Sequence, residues 1–107
     1  MKNIDDEKLY IYERDNWQCQ ACKKDSTKAV LEISHRLRQG KNSKNVIKNF
    51  LLRNNIKGLK VNDILHHPFN LVLACAGPCN SKVDISFNPV EVDILLYNIT
   101  QDLLNRS

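Results

Sequence analysis

Few residues in this 107-residue chain break a folded pattern: it has three glycines, three prolines, one tryptophan and one methionine. So small a supply of Gly and Pro excludes collagen-like, low-complexity and linker-rich designs. Long apolar runs are also missing. The longest, at residues 71–76, is six residues, far short of the roughly 20 that a membrane-spanning helix needs. The opening Met1-Lys2-Asn3-Ile4-Asp5-Asp6-Glu7 lacks the apolar stretch of a secretory signal. A cytoplasmic location without a membrane partner is the expectation. What is present, 42% hydrophobic and 26% charged residues, is ordinary globular composition and argues against wholesale disorder. A chain of this length is expected to form a single domain over residues 1–107.

Acidic residues are nearly absent from one stretch. Between Lys23 and Lys60 eleven basic residues face only Asp25 and Glu32, a net +9, while the remainder carries five basic and ten acidic residues, a net −5. Such polarisation suits a surface that meets a polyanion. A solvated face that merely keeps the protein soluble gives the same count.

The hydrophobic pattern predicts three helices and two strands. Residues 5–14 carry apolar positions on one side, with Asn3 or Asp5 as the cap. Residues 29–35 read as a strand that delivers His35 at its far end. Ser43 caps a second expected helix over residues 43–55, which Asn54-Asn55 and Gly58 end. Residues 71–74 are a short, fully apolar strand candidate. Asn88 and Pro89 open a final helix, about 89–105, with Val92, Leu95, Leu96, Ile99 and Leu103 on one stripe.

Cys19-Gln20-Ala21-Cys22 and Cys75-Ala76-Gly77-Pro78-Cys79 each bring two thiols onto one tight turn. Two such pairs are what a tetrahedral four-sulfur zinc site needs, and Gly77-Pro78 is turn chemistry suited to a knuckle. Such a zinc would be structural, because four thiolates leave no open position for water. Redox-active or merely buried cysteines are the competing reading, but a redox site gives no reason for the second pair.

Four segments then point to a known family. Arg14-Asp15-Asn16-Trp17-Gln18-Cys19-Gln20-Ala21-Cys22 is followed by Leu31-Glu32-Ile33-Ser34-His35. Later come Pro68-Phe69-Asn70-Leu71-Val72-Leu73-Ala74-Cys75 and Cys79-Asn80-Ser81-Lys82. In order and content they resemble the HNH endonucleases of the zinc-knuckle type, in the variant with asparagine at the third signature position. The motif core covers about residues 14–84, with an inserted basic helical segment at about 39–64.

The resemblance implies an α+β fold, a small ββα-metal core clamped by the four-cysteine zinc site with flanking helices. It implies a metal-dependent endonuclease that hydrolyses DNA phosphodiester bonds. His35 would be the general base that deprotonates water. Asn70 would brace the loop between strands and orient the histidine, and Asn80 would be the helix-borne ligand of a catalytic Mg2+, Mn2+ or Ni2+. Arg36, Arg38, Lys41 and Lys82 would hold the DNA backbone. A neutral histidine is a natural base near pH 7, and a cation neutralises charge developing on the phosphate.

The sequence departs from the family at Ser34, where many members carry a metal-binding aspartate. A serine hydroxyl is a poor ligand. One of His66 and His67, with His67 the candidate, can supplement it or contact phosphate; as plain turn residues before Pro68 they would do neither. Trp17 is expected to pack on the zinc knuckle, with base stacking as the alternative. The rival function is a zinc-stabilised nucleic-acid-binding module of the same fold without efficient chemistry. A zinc-stapled interaction domain that binds no nucleic acid is the third. A partner protein that supplies DNA specificity is compatible with the small size.

Overall fold

In the computed structural model, which describes residues 6–106, the elements follow the chain in this order. They are α1 (Asp6–Arg14), β1 (Leu31–His35), α2 (Lys41–Arg53), α3 (Val61–Leu65), β2 (Leu71–Cys75) and α4 (Pro89–Arg106). Single 3-10 turns occupy Pro68–Asn70 and Ser81–Val83. The expected caps Asn3 and Asp5 lie outside the described residues.

The two strands pair antiparallel, from Leu31 opposite Cys75 to His35 opposite Leu71. Side-chain alternation therefore places Leu31, Ile33 and His35 on one face with Leu71, Leu73 and Cys75. Ile11 of α1 packs on that face against Leu71 and Leu73. A polar tie fixes α1 there. Arg14 chelates Asp15 at 2.9 and 3.2 Å and donates to the carbonyls of Pro68 and Leu71, while Asp15 Oδ2 accepts from the Leu73 amide at 2.9 Å. The register thus sets one end of the strand pair at a cysteine knuckle and the other at His35.

A second core lies between the helices. Ile47, Phe50 and Leu51 of α2 meet Ile64 and Leu65 of α3 and the stripe Val92, Leu95, Leu96 and Ile99 of α4. Burying each such side chain is worth about 1.5–3 kcal/mol. At the start of α4 the Asn88 side chain accepts from the Glu91 amide at 3.2 Å, and Pro89 takes the first helical position. The arrangement is α+β, with α1 packed on a two-stranded antiparallel sheet and α2, α3 and α4 packed on one another.

Several elements differ from the sequence expectation. The first strand begins at Leu31, and Val30 is exposed. Ser43 does not cap α2: the first helical bond runs from the Lys44 amide to the Gly40 carbonyl at 3.0 Å, and Ser43 is buried within the helix. The helix stops as expected near Asn54-Asn55. Asn55 adopts φ 55°, and the amides of Asn55 and Ile56 return to the carbonyls of Leu52 and Leu51. The five-residue α3 was not expected, since one turn and a half shows no periodicity. Asn80 stands not on a helix but before the 3-10 turn Ser81–Val83.

Candidate functional site

Each cysteine pair sits on a knuckle made by its own backbone. The Lys23 amide returns to the Cys19 carbonyl at 2.8 Å, and Lys23 adopts φ 69°. In the second knuckle Gly77 takes φ 95°, a conformation that favours glycine. The pairing of β1 with β2 and the bond from the Gln20 amide to the Leu73 carbonyl, 2.9 Å, bring the knuckles together. All four Sγ atoms then lie within 4.8 Å of one another. Four sulfurs about 2.3 Å from a zinc ion stand about 3.8 Å apart, so the cluster can hold a structural metal ion such as zinc. The amides of Ala21 and Cys22 both point at Cys19 Sγ at 3.4 Å. Burial works to raise the Cys19 thiol, yet the amides of Cys22, Cys75 and Ala21 outweigh it and bring it down to about 6. The hydrogen bond with Cys22, with burial, pushes Cys75 up to about 12. A metal ion is held by deprotonated sulfur, so its binding displaces thiol protons.

At the opposite end of β1, His35 is half-buried beside an open cleft of about 510 Å³ lined also by Lys8, Tyr12, Glu32 and His66. His35 Nε2 lies 3.1 Å from His66 Nδ1, the rings nearly perpendicular at 78°. Burial, then the neighbouring His66 and Arg38, holds the His35 pKa below the ordinary imidazole value. Asn70 secures the segment that follows. Its side chain accepts from the Leu37 amide at 2.7 Å and donates to the carbonyls of Leu37 and Leu65 at 3.1 and 2.8 Å, fully buried. Its backbone carbonyl takes the Arg36 amide at 2.7 Å. Asn70→Ala would leave three buried backbone groups unpaired. At about 1 kcal/mol for each bond, a loss of about 3 kcal/mol is expected, read as a melting point lower by roughly 15 °C. A shift of only a few degrees would mean that this clamp is dispensable.

Of the two adjacent histidines, the structure brings His66, not His67, to His35. His67 is buried, its Nε2 held by Asp102 at 2.7 Å and its Nδ1 accepting from the Phe69 amide at 3.0 Å. With both nitrogens engaged it offers no ligand atom. Trp17 lies against Tyr12 of α1, ring centroids 4.8 Å apart.

Asn80 is not hydrogen-bonded to His35. Its Nδ2 donates to Glu32 Oε1 at 3.0 Å, while the Arg38 guanidinium grips both its side-chain and main-chain oxygens. Arg38 also pairs with Asp84 at 3.3 Å. Arg38 is therefore committed to the protein rather than free for a phosphate, and the Asn80 amide oxygen is already met by a positive charge. Ser34 Oγ is buried and is the lone such side-chain atom without a partner among the described residues. As arranged, Ser34, Asn80 and His67 do not make a divalent-cation site. Removing an unpaired buried hydroxyl recovers about 1–3 kcal/mol of desolvation, so Ser34→Ala is expected to raise the melting point by several degrees. A lower melting point would show that the hydroxyl has a partner in solution.

Family models, curated proteins and solved structures were compared with the chain. None of them matches. Among the other residues expected at the site, Lys41 and Lys82 are exposed and Arg36 is half-buried with no side-chain hydrogen bond among the described residues. Sequence reasoning missed the grip of Arg38 on Asn80 and the Arg14–Asp15 tie. Adjacent opposite charges at the end of α1 were the available signal for the second; contacts 42 residues apart leave none for the first.

Proposed function

We propose that this protein is a phosphodiester hydrolase of the HNH type acting on DNA, with His35 as the general base. The observation that carries this reading is the placement of His35. The ring ends a strand, opens on a cleft, is biased toward its neutral form, and stands on a backbone segment locked by Asn70. A neutral imidazole accepts a proton from water as the water oxygen attacks phosphorus, and the 3′ oxygen departs with a proton returned from solvent. His66 fixes the ring from the side. The basic stretch between Lys23 and Lys60 would supply attraction for the backbone.

A second reading has its own observation. With Arg38 seated on Asn80 and serine at position 34, the fold is equally suited to a zinc-stabilised nucleic-acid-binding module. Plasmid relaxation with added Mg2+, Mn2+ or Ni2+, against a chelator control, separates the two when DNA affinity is measured in parallel. Relaxation that disappears in His35→Ala supports the hydrolase. Tight, salt-sensitive DNA binding without relaxation under any of these conditions supports the module, and the absence of both removes DNA as the ligand.

A further inference from the structure

Helix α4 buries one stripe in the core and leaves another uncovered. Phe87, just before its start, is 95% exposed, and Val90, Ile94 and Tyr97 are 68%, 57% and 58% exposed. Val90, Ile94 and Tyr97 of α4 are separated by four and three residues, the spacing with which one helix packs its apolar side chains against another, and Phe87 stands in the turn before the capping Asn88. The buried stripe, Val92, Leu95, Leu96 and Ile99, is separate, so the exposed residues add nothing to the core.

We propose that this seam is a self-association surface, on which α4 of one copy packs against α4 of a second. An antiparallel pair of α4 helices about a two-fold axis sets Val90 opposite Ile94 of the other copy and brings Tyr97 level with the turn that carries Phe87, so apolar residues meet along the seam. Aromatic side chains bury about 150–250 Å² each; scaled by the exposures above, the four residues offer roughly 500 Å² per copy. Two copies would remove roughly 1,000 Å², the lower bound for a specific interface, so the dimer is a weak one. The acidic flank does not prevent it. Asp93 already pairs with Arg53 at 3.3 Å, and Glu91 contributes one screened surface charge per copy. The proposal is independent of the hydrolase reading and stands or falls separately.

Sedimentation equilibrium on the zinc-loaded, nucleic-acid-free protein tests it at concentrations from about 1 to 300 µM. The parent protein is expected to dimerise in the micromolar range and to remain dimeric at high salt, unlike association bridged by nucleic acid. Ile94→Glu places a charge in the centre of the seam and should weaken the dimer about 100-fold, as should Phe87→Ser by a smaller factor. Both positions are exposed, so melting temperature and zinc content should stay unchanged in dilute solution. A parent protein that remains monomeric at 300 µM, or a dimer that persists unweakened in Ile94→Glu, would overturn the proposal.

Discussion

Cys79→Ser is expected to leave the protein without its metal and largely unfolded at temperatures where the parent is folded. The reasoning starts from where the four sulfurs sit. Two knuckles more than fifty residues apart in sequence meet at one end of the β1–β2 pair, with Cys19, Cys75 and Cys79 buried. Zinc bound in small domains contributes about 10–16 kcal/mol of apparent free energy near pH 7. A protein of this size has about 5–15 kcal/mol of total stability, so the metal term equals or exceeds it. Serine is a weak zinc ligand and cannot replace a thiolate. Elemental analysis should find one zinc in the parent and little in the variant, and circular dichroism should show a lost or strongly lowered thermal transition. Acid acts in the same direction, because ligation requires deprotonated sulfur and protons compete with the metal. A metal-free variant melting cooperatively at the parental temperature would remove the metal from the account of this fold.

What could be read from the sequence, and what could not, follows from the range of each interaction. The cysteine pairs announce themselves because a knuckle is local: two thiols and a turn lie within five residues, with Gly77 at φ 95° in the second. Helix α4 is legible for the same reason, its cap, its proline and its buried stripe being contiguous. The boundary of α2 was misplaced because Ser43 has the chemistry of a cap but points into the core, while the capping carbonyl belongs to Gly40. Propensity ranks residue types and does not see which face a turn presents.

The contacts around His35 are of another kind. His66 reaches it across 31 residues, and only because α3 turns the chain at Val61–Leu65. Between two adjacent histidines nothing in the sequence tells the buried one from the exposed one. Asp102 decides it, by taking the His67 imidazole into the base of α4. Asn80 likewise has the composition of a ligand and the surroundings of a structural link, since Arg38 and Glu32 take its polar atoms. A signature residue identifies a chemistry that is available; its neighbours decide whether the chemistry is used.

His35→Ala is the substitution expected to separate chemistry from architecture. Loss of a general base typically costs about 10²–10⁴ in rate, and under the proposed function plasmid relaxation should fall by that factor. The fold should tolerate the change, because the ring is half-buried and its side-chain hydrogen bond among the described residues is to the exposed His66. Melting temperature within a few degrees of the parent and unchanged DNA affinity are therefore expected alongside the rate loss. The pH profile gives an independent readout. Burial, His66 and Arg38 all lower the His35 pKa, so the base stays unprotonated below the ordinary value of about 6.5. Relaxation should hold its rate as the pH falls through 6.5 and decline only at lower pH, as the ring takes up its proton. His66→Ala removes one of the neighbours that lower the His35 pKa together with part of the burial, and both changes raise it. Its acid limb should move up toward 6.5. The same shift acts on stability: the folded state binds fewer protons than the unfolded one, so the contribution of His35 is present above 6.5 and is lost as the pH falls toward the folded pKa. A His35→Ala protein that relaxes plasmid at the parental rate, or an acid limb unmoved by His66→Ala, would place the base elsewhere and remove the hydrolase reading from this cleft.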